Sequence, residues 1–116
     1  MTHHMNLQPR PFELIASGKK TIELRLYDEK RQTIRPGDKI RFSNTANPAR
    51  QLCAIVVKLH IFPSFQALYK SLPLEQCGYL PDELDTASPK DMELYYPPEK
   101  QAQYGVLGIE LQLQEE

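Results

Sequence analysis

The chain has 116 residues, enough for one domain and for a core that folds without disulfide staples. Its 41% hydrophobic and 25% charged residues are ordinary for a globular protein. No apolar run approaches the ~18 residues of a spanning helix, which excludes a helical membrane protein. The opening residues 1–6 have neither the apolar stretch nor the cleavage site of a secretory signal. Two cysteines, Cys53 and Cys77, are too few for a disulfide framework. These features fit a reducing, cytoplasmic setting. Net charge is −1, yet residues 1–50 hold ten Lys and Arg against five acids, a net of +5, while residues 51–116 hold four against ten, a net of −6. Such asymmetry lets one surface attract phosphate while the rest repels it, unless the two halves interleave in the fold.

In chain order, residues 5–7 read as a short extended start. Residues 9–18 read as a short helix, with Pro9 in the first turn, Phe12 and Ile15 facing inward, and Gly18 just past the end. Residues 21–27 alternate strictly, with Ile22, Leu24 and Leu26 on one face and Thr21, Glu23, Arg25 and Tyr27 on the other, which predicts a strand. Residues 28–32 form a charged turn and Arg35-Pro36-Gly37-Asp38 a tight one. A second alternating strand starts at residues 39–42, residues 43–48 are loop, and the long β-rich run 51–61 is apolar enough to be central in a sheet.

The second half changes character. Ser64 caps a helix through Leu72, stopped by Pro73. Residues 74–86 lack pattern, and their length allows a lid. Ser88-Pro89-Lys90-Asp91 opens another helix that ends before Pro97-Pro98, and residues 99–103 add one more turn. A last strand runs over 105–113. Four or five strands with small helices between them predict an α+β fold, a compact curved sheet or partly closed barrel.

Gly-rich phosphate loops, dinucleotide fingerprints and nucleophile elbows are absent. His3 and His4 sit in what reads as a loose end, and His60 stands alone on a β-rich run, so no metal and no cofactor are expected. What remains is Gly18-Lys19-Lys20-Thr21-Ile22-Glu23-Leu24-Arg25. Two lysines at a helix–strand junction precede a polar strand face, whose side chains at two-residue spacing can converge on one small ligand. Lys19, Lys20, Thr21, Glu23 and Arg25 are therefore candidate binding residues. Tyr27, Tyr95, Tyr96 and Tyr104 each offer a ring for base stacking. A solvent-facing strand also carries such residues for solubility alone.

The segment from Pro11 and Phe12 through Ile15, Gly18, Lys20, Thr21, Ile22, Glu23 and Arg25, then Gly37, Asp38, Ile40 and Phe42, and the closing run 104–110, resembles the ASCH domain family. That resemblance implies a small PUA-like β-barrel with flanking short helices. It also implies a cleft lined by the Gly-x-Lys-Thr-x-Glu-x-Arg motif and an RNA, nucleoside or nucleotide partner; in such a basic cleft Tyr104 is a further candidate binding residue. Some small bacterial members hydrolyse the amide of N4-acetylcytidine with a lysine, a threonine and a glutamate. Carried over, the lysine falls on Lys20. The position of the threonine, three residues later, is occupied by Glu23, and Glu75 is the candidate for the distal glutamate. Lys20 and Glu23 are thus candidate catalytic residues for an amidohydrolase or ribonuclease, against the leading expectation of an RNA- or nucleotide-binding module. Arg25→Ala is expected to weaken an anionic ligand and leave the fold intact.

Overall fold

A computed structural model describes residues 1–114. Strand β1 (Thr2–Leu7) leads through helix α1 (Pro9–Ala16) to β2 (Ile22–Leu26). Next come β3 (Lys39–Asn44), β4 (Asn47–Phe62), α2 (Phe65–Ser71), α3 (Lys90–Glu93), α4 (Pro98–Tyr104) and β5 (Val106–Leu113). Short 3-10 segments at Arg31–Thr33, Leu74–Cys77 and Pro81–Thr86 occupy the connections. The strands form one sheet in the order β1-β3-β4-β5-β2, antiparallel except where β1 runs beside β3. The predicted α+β class holds: the sheet curls into a half-barrel whose two edges, β1 and β2, approach each other across an open seam.

The apolar run of β4 places it at the centre of the sheet, as its sequence predicts. A register shift between Val56 and Lys58 bends the strand and helps the sheet to curl. Phe12 and Ile15 of α1 fill the concave face together with Ile40, Phe42, Val56, Ile109 and Leu111. On the convex side Ile22, Leu24 and Leu26 pack against Phe65 and Leu68 of α2, which Ser64 caps by accepting from the Ala67 amide at 3.2 Å. The chain after α2 sits directly on the backbone of β5. A Cβ added at Gly108 would lie 2.8 Å from Leu72 Cδ1.

Several local expectations give way to tertiary pairing. The extended start begins at Thr2 because β1 gains β3 as a neighbour, so His3 is no loose end: its Nε2 lies 2.8 Å from Asp38 Oδ2. The loop at 43–48 contracts because β3 and β4 stay paired out to Asn44 and Asn47. The helix expected after Ser88 is confined to Lys90–Glu93, whereas the extra turn near 99–103 is a full helix, α4, started by Pro98. The charge halves interleave in part, since Arg10 of the first half pairs with Glu83 of the second at 2.5 Å. No described helix is long and apolar enough to cross a membrane.

Candidate functional site: a charged triad in the open seam

The two ends of β2 reveal the direction of its backbone groups. Tyr27 N donates to Gly105 O at 3.0 Å, and Leu111 N donates to Thr21 O at 2.8 Å. With Glu23 opposite Ile109 and Arg25 opposite Leu107, the odd-numbered residues are the hydrogen-bonded pairs of the ladder. Residues directly opposite share a face, so Glu23 and Arg25 point to the concave side with Ile109 and Leu107. The polar face of this strand is its inward face, and its apolar face is covered by α2.

An inward carboxylate needs partners. Glu23 is 3% exposed. Its Oε1 lies 2.9 Å from Lys20 Nζ, and its Oε2 accepts from Arg25 Nε at 2.7 Å. Arg25 Nη2 also donates to the carbonyl of Asn6 at 2.8 Å, reaching from β2 to β1. Burial pushes the Glu23 carboxyl up, but attraction from Lys20 and Arg25 outweighs it and holds the group below its ordinary value. Burial likewise pulls Arg25 down, and Glu23 more than reverses that. The result is a fixed Lys⁺–Glu⁻–Arg⁺ triad carrying one net positive charge.

The triad borders a cleft of about 330 Å³ between the end of β1, the start of α1, β2 and the chain from 69 to 96. Tyr69, Tyr79, Tyr95 and Tyr96 contribute to its walls, with Met92 and Cys77. Tyr69 and Tyr79 share a hydroxyl hydrogen bond of 2.7 Å, and Tyr79 donates onward to Asp91 Oδ2 at 2.7 Å. That chain joins α2, the turn region and α3 into one wall. Burial pushes the Tyr69 phenol up to about 12 and the Cys77 thiol up to about 11, the latter against the pull of Lys20. Both groups are protonated and unreactive at neutral pH.

The profile of the ASCH domain matches residues 5–115. The chain belongs to the ASCH domain family. Two solved structures resemble it along its length. The hypothetical protein PH0355 is 34% identical, with 98% of this chain and 100% of that one covered and a TM-score of 0.81. Protein PF0455 from Pyrococcus furiosus is 35% identical, with both chains fully covered and a TM-score of 0.73. ASCH from Zymomonas mobilis shares the fold at 17% identity and a TM-score of 0.66, with 96% of this chain and 66% of that one covered. Among curated proteins nothing matches.

Of the residues singled out in its sequence, this ASCH domain brings Lys20, Glu23 and Arg25 together in the cleft. Lys19 is exposed outside it. Thr21 turns to the Leu74–Cys77 segment, its amide donating to Gln76 O at 2.9 Å. Tyr104 stands on a neighbouring groove, its ring 5.8 Å from Lys100 Nζ. Glu75 is exposed and outside the cleft lining. Tyr95 and Tyr96 line the cleft, as do Tyr69 and Tyr79, which sequence reasoning assigned to a helix and to a patternless stretch. The signal available was compositional: five of the six tyrosines fall between residues 69 and 104.

Proposed function

We propose that the cleft is a nucleotide site that takes one unit of an RNA strand. The observation that carries this reading is the convergence of Lys20 and Arg25 with four tyrosine rings on one opening of about 330 Å³, a size within the ~300–1,000 Å³ of small-ligand sites. Tyrosine faces supply stacking worth ~1–3 kcal/mol per base. The cations supply donors for phosphate or carbonyl oxygens, and Glu23 neutralises one of them, so the site suits a single nucleotide better than a long stretch of backbone. Membership of the ASCH family, with its general likeness to RNA-binding domains, supports the same reading.

Binding is favoured over hydrolysis by what the triad does to its carboxylate. Glu23 is clamped between two cations, which leaves it a weak base. The cleft lining holds no serine or threonine among the described residues, and its thiol is protonated. The decisive experiment measures fluorescence anisotropy of short unpaired RNAs over a salt series. One or two phosphate contacts give a log–log slope of about −0.7 to −1.4, and Lys20→Ala weakens binding. Absence of binding at low salt would overturn the reading. Acetate release from N4-acetylcytidine, lost in Lys20→Ala, would replace it with the amidohydrolase.

A further inference from the structure

The alternation that sends Glu23 and Arg25 inward has a second effect on β2. Leu24 lies opposite Gly108, and the ladder bonds at Thr21 and Tyr27 make this a non-hydrogen-bonded pair. Both the N–H and the C=O of Leu24 therefore point away from β5. Since β2 is the last strand of the sheet, no further strand meets them, and among the described residues neither group has a hydrogen-bond partner. Ile22 and Leu26 have the same orientation, but of the three Leu24 alone lines the cleft. Its side chain is committed to the convex core and the residue is 5% exposed. Backbone groups of a buried residue that find no partner in the chain are satisfied by water or ligand.

We infer that the N–H and C=O of Leu24 read the Watson–Crick edge of an unpaired base held in the cleft. The inference rests on the nucleotide reading above and adds how the base is recognised. One extended residue presents its donor and acceptor side by side on the same edge. Each nucleobase presents the complement: an acceptor beside a donor, as in O4 and N3–H of uracil, N3 and N4–H of cytosine, or N1 and N6–H of adenine. An extended peptide pairing with the strand edge is the competing occupant. It is disfavoured because, of the β2 residues whose backbone groups face away from β5, Leu24 alone lines the cleft, and tyrosine rings contribute to its walls, which suits a flat plate rather than a chain. A base already paired has spent this edge, so the cleft rejects duplex.

The test replaces the Leu24 amide by a backbone ester, which removes the N–H and keeps the side chain and every β2–β5 donor. Thermal melting checks that the strand remains intact. Anisotropy is measured with adenylate, cytidylate and uridylate hexamers, and the tightest is measured again as a duplex with its complement. The expected result is a loss of about fivefold or more for the ester, as for one hydrogen bond at a desolvated site, and no competition by the duplex. An ester protein that binds as tightly as wild type, or a duplex that binds as well as the single strand, overturns edge reading and leaves the nucleotide site standing. Failure of all three hexamers to bind wild type overturns both.

Discussion

The guanidinium of Arg25 ties the free edge of β2 to β1 by donating to the carbonyl of Asn6 at 2.8 Å, while its Nε holds Glu23 Oε2 at 2.7 Å. This residue was expected from sequence to serve a ligand without serving the fold, but its contacts give it a structural task. Arg25→Ala removes the tie and half of the charge that offsets buried Glu23. The expected loss of stability is about 2–3 kcal/mol by urea unfolding. Arg25→Lys restores the charge without the two-pronged reach and recovers part of that loss. An Arg25→Ala protein as stable as wild type would show that the seam holds without the tie.

Glu23 makes stability depend on acid. Its carboxyl is held below the ordinary value of 4.5 by Lys20 and Arg25, which outweigh its burial. A group whose folded value is depressed contributes stability that is present above the unfolded value and lost as pH falls through the folded one. Unfolding free energy is expected to decline as pH drops below about 4.5. Asp38, held at about 2 chiefly by its hydrogen bond from His3, adds a decline of the same sign. The difference between wild type and Glu23→Gln isolates Glu23: the variant is less stable at pH 7 and shows the shallower acid slope. Parallel curves would remove Glu23 from the account.

Gly78 supports Lys20 from behind. It has φ +111°, and a Cβ there would lie 3.2 Å from Lys20 Cδ. Gly37 has a similar φ, +92°, with nothing within 4 Å of an added Cβ. Both Gly78→Ala and Gly37→Ala carry the backbone cost of ~1–3 kcal/mol for a side chain in this conformation. Only Gly78→Ala displaces the ammonium, so RNA affinity falls in that variant and holds in Gly37→Ala. Equal affinities in the two would show that Lys20 accommodates the extra methyl group.

Cys77 tests the wall of the cleft. With its thiol pushed up to about 11 by burial, it reacts slowly with iodoacetamide at pH 8, where few thiolates are present. Mass spectrometry after a timed exposure is expected to find Cys77 unmodified in the folded protein and both cysteines modified in urea. Rapid labelling of folded Cys77 would mean that the wall opens readily.

Much of the architecture could be read from residue order. Strict alternation at 21–27 marks β2 and its two faces, the apolar run of β4 marks the centre of the sheet, and Ser64 marks the start of α2, because each is a local preference of a short segment. The walls of the cleft could not be read that way. Tyr79 lies in a stretch of 3-10 turns with no periodicity, and it reaches the site through a hydrogen-bonded chain to Tyr69 and Asp91. Lys20 and Glu23 are neighbours in sequence, but Tyr96 joins them only because α3 and the chain after it fold back over β2.

By itself, the sequence determined the elements, the family and the Lys20–Glu23–Arg25 cluster, because side-chain period and local spacing are properties of the chain. Tertiary structure decided which face of β2 is the inside. Pairing with β5 sets Glu23 opposite Ile109 and turns the polar face toward the core, while α2 covers the apolar one. It also decided that Arg25 meets Asn6, nineteen positions away, because the curl of a five-stranded sheet brings its two edges together. Strand order also leaves the N–H and C=O of Leu24, a residue that lines the cleft, without a strand partner, a consequence that residue identity does not carry.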